Sequence, residues 1–409
     1  MLRRLRIFAA VYCAALMAST VYGLAQDAGA RPDLMTFAYG VLPVSVDTGG
    51  ANLKTGMGEA MRLIDGNPVG SSITPKPAAK GDFVEFTYAL PAATMFDRLA
   101  VPRILETPSP SQTFFRNIEV LGATSSVDGP YVLLGSAVLS VHEEAGQVTE
   151  LTLAADAPAV SWVRVRLWDG LDVQRDKTFF EFSELIGNGQ QASPAMSERF
   201  SGVWKGRGVK IELAQEGPAV TGCYDGNSKL TGTVEGRVLR AVGQNPAGIV
   251  SQFIAIVGDD GALRGLRSAN GAPFRQYDGD ISNKSPVCLA PEPPTLGCGD
   301  IIHGIGFGYD SDVIRPDSAA ILQTLYAGLS DAGAGRIEIV GHSSSEGSAD
   351  YNRDLSKRRA ASVVAALVTL GLDPAILSAS GMGEDAPIAS NDDEAGRSLN
   401  RRVEIQCTS

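Results

Sequence analysis

In the stretch GHSSSEGSADYNRDLSKRRAASVV, Gly341 to Val364, a Gly/Ser turn precedes a helix-forming run in which two polar side chains fall where apolar ones belong. Advancing about 100° per residue from Tyr351 places Leu355, Leu370, Val363 and Leu367 at about 40, 100, 120 and 160°, a single apolar sector. Asn352 falls at about 100° and Arg359 at about 80°, inside that sector, whereas Arg353, Asp354, Lys357 and Arg358 lie outside it or at its edge. A guanidinium is not dehydrated without an anionic partner. Asn352 stands two turns before Arg359 on the same line, so the pair offers an amide and a planar cation to a ligand bearing carboxylate and amide groups. The turn before them adds free backbone N–H groups and the positive end of a helix dipole. The alternative is structural: Arg359 pairs with a carboxylate of its own domain, for which Glu404 on the last predicted strand is the candidate. From the wheel alone the two readings weigh equally.

The elements around this helix alternate. Ile305 to Tyr309 reads as a strand, and Pro316 opens a helix with Ile321, Leu322, Leu325 and Leu329 on one face. Arg336 to Gly341 is a second strand, the quoted stretch continues as a helix to about Leu370, and Asp373 to Ile376 makes one more turn. Leu377 to Ser380 and Arg402 to Cys407 supply the last strands, giving a C-terminal α/β domain of order βαβαββ over residues 300–409. LAPEPPTLG, Leu289 to Gly297, opens a proline-rich linker at 289–299.

Upstream the period is that of strands. Over residues 31–191, Val84, Phe86, Tyr88 and Leu90 alternate with polar or small residues, as do Val163, Val165 and Leu167, which predicts a β-sandwich or barrel. Residues 199–288 read as a small antiparallel β-rich domain, with Val209, Ile211 and Leu213 alternating and turns at Glu216-Gly217, Asp225-Gly226, Glu235-Gly236 and Asp260-Gly261. Trp204 there is either a ligand platform or, more commonly for a lone tryptophan, core.

The 409 residues exceed one core and divide into several units. MLRRLRIFAAVYCAALMASTVYGLAQ has three arginines, a short apolar run and Gly23-Leu24-Ala25 in the pattern of a signal peptidase site, so residues 1–25 read as an export leader. Cys13 lies within the apolar run. Of 35 basic and 46 acidic residues, loss of Arg3, Arg4 and Arg6 with the leader leaves 32 against 46, a formal balance of −14 that argues against nucleic acid as a partner. Four cysteines remain, Cys223, Cys288, Cys298 and Cys407, enough for two disulfides with three possible pairings. Cys223 with Cys288 and Cys298 with Cys407 is favoured, because each pair closes one proposed domain.

FGYDSDVIRPDS at Phe307 to Ser318, IEIVGHSSSEGSADYNRDLSKRRAASVVAALVTLGL at Ile337 to Leu372, SASGMGEDAPIASN at Ser378 to Asn391 and GRSLNRRVEI at Gly396 to Ile405 resemble, in order and spacing, the OmpA-like peptidoglycan-binding domain. That resemblance implies non-covalent binding of the diaminopimelate residue in the stem peptide of peptidoglycan, in a Gram-negative envelope. It maps the ligand positions onto Ser344, Asn352, Leu355, Arg359 and Arg401. The family usually carries an aspartate where this chain has Ser344, which accepts a hydrogen bond but brings no charge; Glu346, two residues on, is the candidate substitute. In the first unit, LIDG at Leu63 to Gly66, FDRLAV at Phe96 to Val101, RNIEVLGATSSVDGPYVLL at Arg116 to Leu134, SWVRVRLWDG at Ser161 to Gly170 and FFEFSELIGNG at Phe179 to Gly189 resemble galactose-binding-like (discoidin) jelly rolls. The tryptophan that often follows the first Asp-Gly in that family is absent after Asp65-Gly66.

The leading expectation is a non-catalytic protein of the periplasm, associated with cell wall or outer membrane, with no cofactor and no metal, whose β domains engage a glycan or an envelope protein. A wall hydrolase would need paired carboxylates in a cleft, a nucleophile with its base, or metal ligands. The chain offers His142, His303 and His342 without HExxH or GxSxG, and Glu143-Glu144 reads as a solvated turn. An outer-membrane barrel anchored by the last domain would need many strands of about 10 residues with lipid-facing alternation, which the region before the linker lacks.

Overall fold

The computed structural model describes residues 31–49, 56–67, 72–74, 83–102, 112–140, 147–170, 179–284, 288, 296–308 and 310–408. The leader at 1–25 with Cys13, His142, Glu143, Glu144, Tyr309 and most of the linker lie outside these residues. No helix among the described residues is long and apolar enough to cross a membrane.

The N-terminal unit is organised by one 20-residue strand, Phe83–Pro102. Its first half pairs with Leu42–Asp47 and Val160–Gly170, its second with Ile186–Gln191 and Val148–Glu150. The alternation seen in sequence is the burial pattern: Val84, Phe86, Tyr88, Val163, Val165 and Leu167 are all buried on one face. Phe37, Met61 and Ile64 pack in the same core, and the Tyr88 hydroxyl donates to the Ala60 carbonyl at 3.0 Å.

Residues 202–281 form a meander in which each strand pairs with the next. The final segment pairs first with Leu263–Ala269 and then with Gly202–Gly206, so the ribbon closes on itself. Trp204 is core: it is 1% exposed, and its indole N–H donates to the Gly261 carbonyl at 2.9 Å. The cysteines pair as favoured, Cys223 with Cys288 and Cys298 with Cys407. Glu212 lies beside the first pair, but sulfurs joined in a disulfide are not thiolate ligands.

The C-terminal domain has a four-stranded sheet ordered Ile301–Ile302, Val403–Thr408, Arg336–His342, Leu377–Gly383, the last two parallel. Two parts of the expected βαβαββ order are corrected. The first strand is Ile301–Ile302; Phe307, inside the stretch read as that strand, makes only an isolated bridge to Ile314. A further helix, Glu394–Asn400, lies between the last two strands. Its 7 residues show no amphipathic period because almost all of them are buried, and Asp393 caps it by accepting from the Gly396 N–H at 2.7 Å. Helix Ala319–Asp331 buries Ile321, Leu322, Leu325 and Leu329 as its period predicts.

The three units meet in one apolar cluster, beside separate cores within the second and third. Ala389, Ala395 and Leu399 of the C-terminal domain belong to the same cluster as Met61 and Leu63 of the first unit and Val238 and Ile254 of the second.

Candidate functional site

The long helix Ala349–Leu370 is fixed against the sheet by bare backbone. Gly341 and Gly381 face each other in the parallel ladder, and a Cβ on Gly341 would stand 2.2 Å from the Ser356 carbonyl oxygen, one on Gly381 2.4 Å from the Lys357 nitrogen. Glycine at both positions therefore sets how closely the helix approaches. Ser348 caps it, and the Ser356 hydroxyl accepts from the Gly383 N–H at 2.9 Å. This docking turns Asn352, Leu355 and Arg359 toward a cavity of 420 Å³ that Ser344, Glu346 and Arg401 also line.

Arg359 is half-buried, as the wheel predicts, and no carboxylate lies within 4.0 Å of it among the described residues. Its Nε donates to the Ser311 carbonyl at 2.9 Å, and its guanidinium sits 5.0 Å from the Phe307 ring centroid. Burial, with the Arg401 and Arg358 charges added, pushes the guanidinium down to about 10. The structural alternative does not hold, because Glu404 is taken: Arg402 Nη2 reaches it at 2.6 Å and His342 Nε2 lies 3.5 Å away. His342 and Arg402 together hold the Glu404 carboxyl down at about 2.

Arg401 differs sharply from Arg359. It pairs with Glu394, with Glu346 at 3.2 Å, and reaches the Tyr39 hydroxyl at 3.5 Å. Ser344 Oγ donates to Glu346 at 3.0 Å, and Arg397 stands 3.8 Å from the same carboxylate. The Glu346 charge is thus beside Ser344 but already shared by two arginines. Asn352 donates its amide N–H to Glu384, and Leu355 is buried at the wall.

Sequence reasoning missed several residues at the cavity. Asp310 lies inside a stretch already singled out, accepts a hydrogen bond from the Tyr351 hydroxyl and has no arginine partner within 4.0 Å among the described residues. Tyr39, Glu235 and Arg240 come from the other units, where no local pattern marks them. Glu235 is paired with Arg240 and Arg315, both at 3.2 Å.

The C-terminal domain, with its helix pair and mixed sheet, is OmpA-like: residues 306–401 match the OmpA family. Within this region the chain is 40% identical over 100 residues to outer membrane porin F of Pseudomonas fluorescens, covering 24% of this chain and 31% of that one. It is 35% identical over 100 residues to the peptidoglycan-associated lipoprotein of Pseudomonas aeruginosa, covering 24% and 59%. Among solved structures it is similar to the peptidoglycan-associated lipoprotein from Burkholderia pseudomallei, at 31% identity over 25% of this chain and 88% of that one, with a TM-score of 0.24. The chain spans less than two thirds of the length of both curated relatives.

Proposed function

We propose that this protein is a non-catalytic component of the cell envelope whose C-terminal domain binds peptidoglycan non-covalently through the diaminopimelate residue of the stem peptide. The observation that carries this reading is Arg359, a half-buried guanidinium at a cavity wall with no carboxylate within 4.0 Å among the described residues. A ligand carboxylate supplies the partner the fold withholds, in a bidentate geometry that arginine favours. Asn352 and Leu355 on the same helix face give the ligand an amide and an apolar contact. Ser344 leaves the ligand ammonium without the family's aspartate, and Glu346, hydrogen-bonded to Ser344, is the group that stands in for it. In this reading the N-terminal unit is a galactose-binding-like jelly roll, the β units engage a glycan or an envelope protein, and the chain works in the periplasm beside wall or outer membrane.

Calorimetric titration of the full chain with a soluble disaccharide tripeptide containing diaminopimelate tests the reading. Wild type binds, and Arg359→Ala weakens binding at least about 30-fold, the loss that follows when a buried charge pair loses one member. Absence of binding by wild type, or equal binding by Arg359→Ala, refutes it. Glu346→Gln weakens the same titration if Glu346 faces the ammonium; unchanged affinity removes Glu346 from the site.

A further inference from the structure

Part of the cavity wall does not belong to the OmpA-like domain. Pro32, Leu34 and Tyr39 of the first unit and Glu235 and Arg240 of the second form that part. It is held by packed core and by bonds at several separate points. Arg240 Nη2 donates to the Ala38 carbonyl at 2.5 Å, linking the first two units. Thr233 Oγ1 donates to the His303 carbonyl at 2.7 Å, and the His303 N–H donates back to it at 3.1 Å, linking the second and third. The Glu394 N–H donates to the Gly66 carbonyl at 3.1 Å, linking the first and third. Gly66 has a φ of 82°, and a Cβ there would stand 2.5 Å from Glu394 Cβ and 3.0 Å from its backbone nitrogen. No side chain fits that approach.

A site on an open face lets a polymer lie across it, tied at both ends. A cleft with a second wall admits a segment end-first. At 420 Å³ the cavity is at the small end of those that enclose one compact ligand, roughly 300–1,000 Å³.

Building on the stem-peptide reading above, we propose that docking of the first two units against the OmpA-like domain makes the site selective for stem peptides with a free end, and that cross-linked peptides are excluded while the units stay docked. The ligand class is therefore the uncross-linked muropeptide. Tyr39 is the residue of the first unit that sets this selectivity, because it lines the cavity and contacts the paired Arg401 of the OmpA-like domain.

The test compares two probes on the full chain by calorimetry: a disaccharide-tripeptide monomer containing diaminopimelate, and the cross-linked dimer of the same chemistry. Wild type binds the monomer, and the dimer at least about tenfold more weakly, since a steric wall acts against the wrong ligand and leaves the right one its contacts. Tyr39→Ala, which cuts back that part of the wall, and Gly66→Val, which forces the first and third units apart, each bring the ratio below about threefold by the same reasoning. If Gly66→Val does not fold, Tyr39→Ala decides alone. Equal affinity of wild type for both probes overturns the proposal, as does a ratio that neither variant moves. Failure of wild type to bind either probe instead overturns the stem-peptide reading, and this inference with it.

Discussion

Two arginines at one cavity should respond unequally to loss of charge, and the comparison measures whether Arg359 is kept for a ligand. Arg359→Met removes a guanidinium that burial pushes from 12.5 to about 10, equivalent to about 3.4 kcal/mol against the charged form. The side chain is only half-buried, so solvent screening reduces that figure to about 1.5–2 kcal/mol. Against this stand the hydrogen bond to the Ser311 carbonyl, about 1.5 kcal/mol, and the stacking on Phe307, about 0.5 kcal/mol. The opposing contributions nearly cancel, and Met retains an apolar stem, so the unfolding free energy changes by less than about 1 kcal/mol. Arg401→Met leaves Glu394 and Glu346 with Arg397 alone, which costs about 3 kcal/mol, the low end for breaking a buried pair. Urea titrations of both variants, with the slope compared to wild type, give these differences directly. A muropeptide at about 100 times its dissociation constant then adds about 2.7 kcal/mol to wild type and no more than about 0.9 kcal/mol to Arg359→Met. A loss of 3 kcal/mol or more from Arg359→Met, matching Arg401→Met, would mean that Arg359 has a structural partner after all and that its role as a waiting cation is wrong.

Three further outcomes follow from other parts of the fold. Gly341→Val places a side chain against the Ser356 carbonyl, displacing the ligand-bearing helix, so stability falls by about 2–3 kcal/mol and muropeptide binding is lost together with it. Replacing Cys298 and Cys407 by Ser opens a loop spanning 109 residues, with an expected loss of about 4–5 kcal/mol in urea unfolding under non-reducing conditions. Burial raises the Glu184 carboxyl well above its ordinary range, and raises Asp33 to about 7 and Asp65 to about 6. Their protonated forms favour the folded state, so this contribution is complete below about pH 4 and is lost as pH rises through about 7. The urea midpoint should therefore fall between pH 5 and 8, and Glu184→Gln should flatten the dependence; a midpoint that rises across that window refutes it.

How far the site could be read from sequence depends on what each residue answers to. Arg359 was legible because a helix has a fixed period and a guanidinium in an apolar sector contradicts it. The alternating strands around Phe86 and Val165 were legible for the same reason, since one face of a strand must be buried. Helix Glu394–Asn400 was not, because its burial comes from a different unit and leaves no stripe along its own residues. The assignment of acids to arginines was equally hidden. Glu404, Glu346 and Glu394 are interchangeable on a wheel, and only three-dimensional placement gives Glu404 to Arg402, the other two to Arg401, and none to Arg359. Tyr39 lies furthest beyond a local reading, since it meets Arg401 across 362 residues of sequence. The candidate residues of the cavity were therefore legible in one helix, while the rest of its lining belongs to the packing of three units.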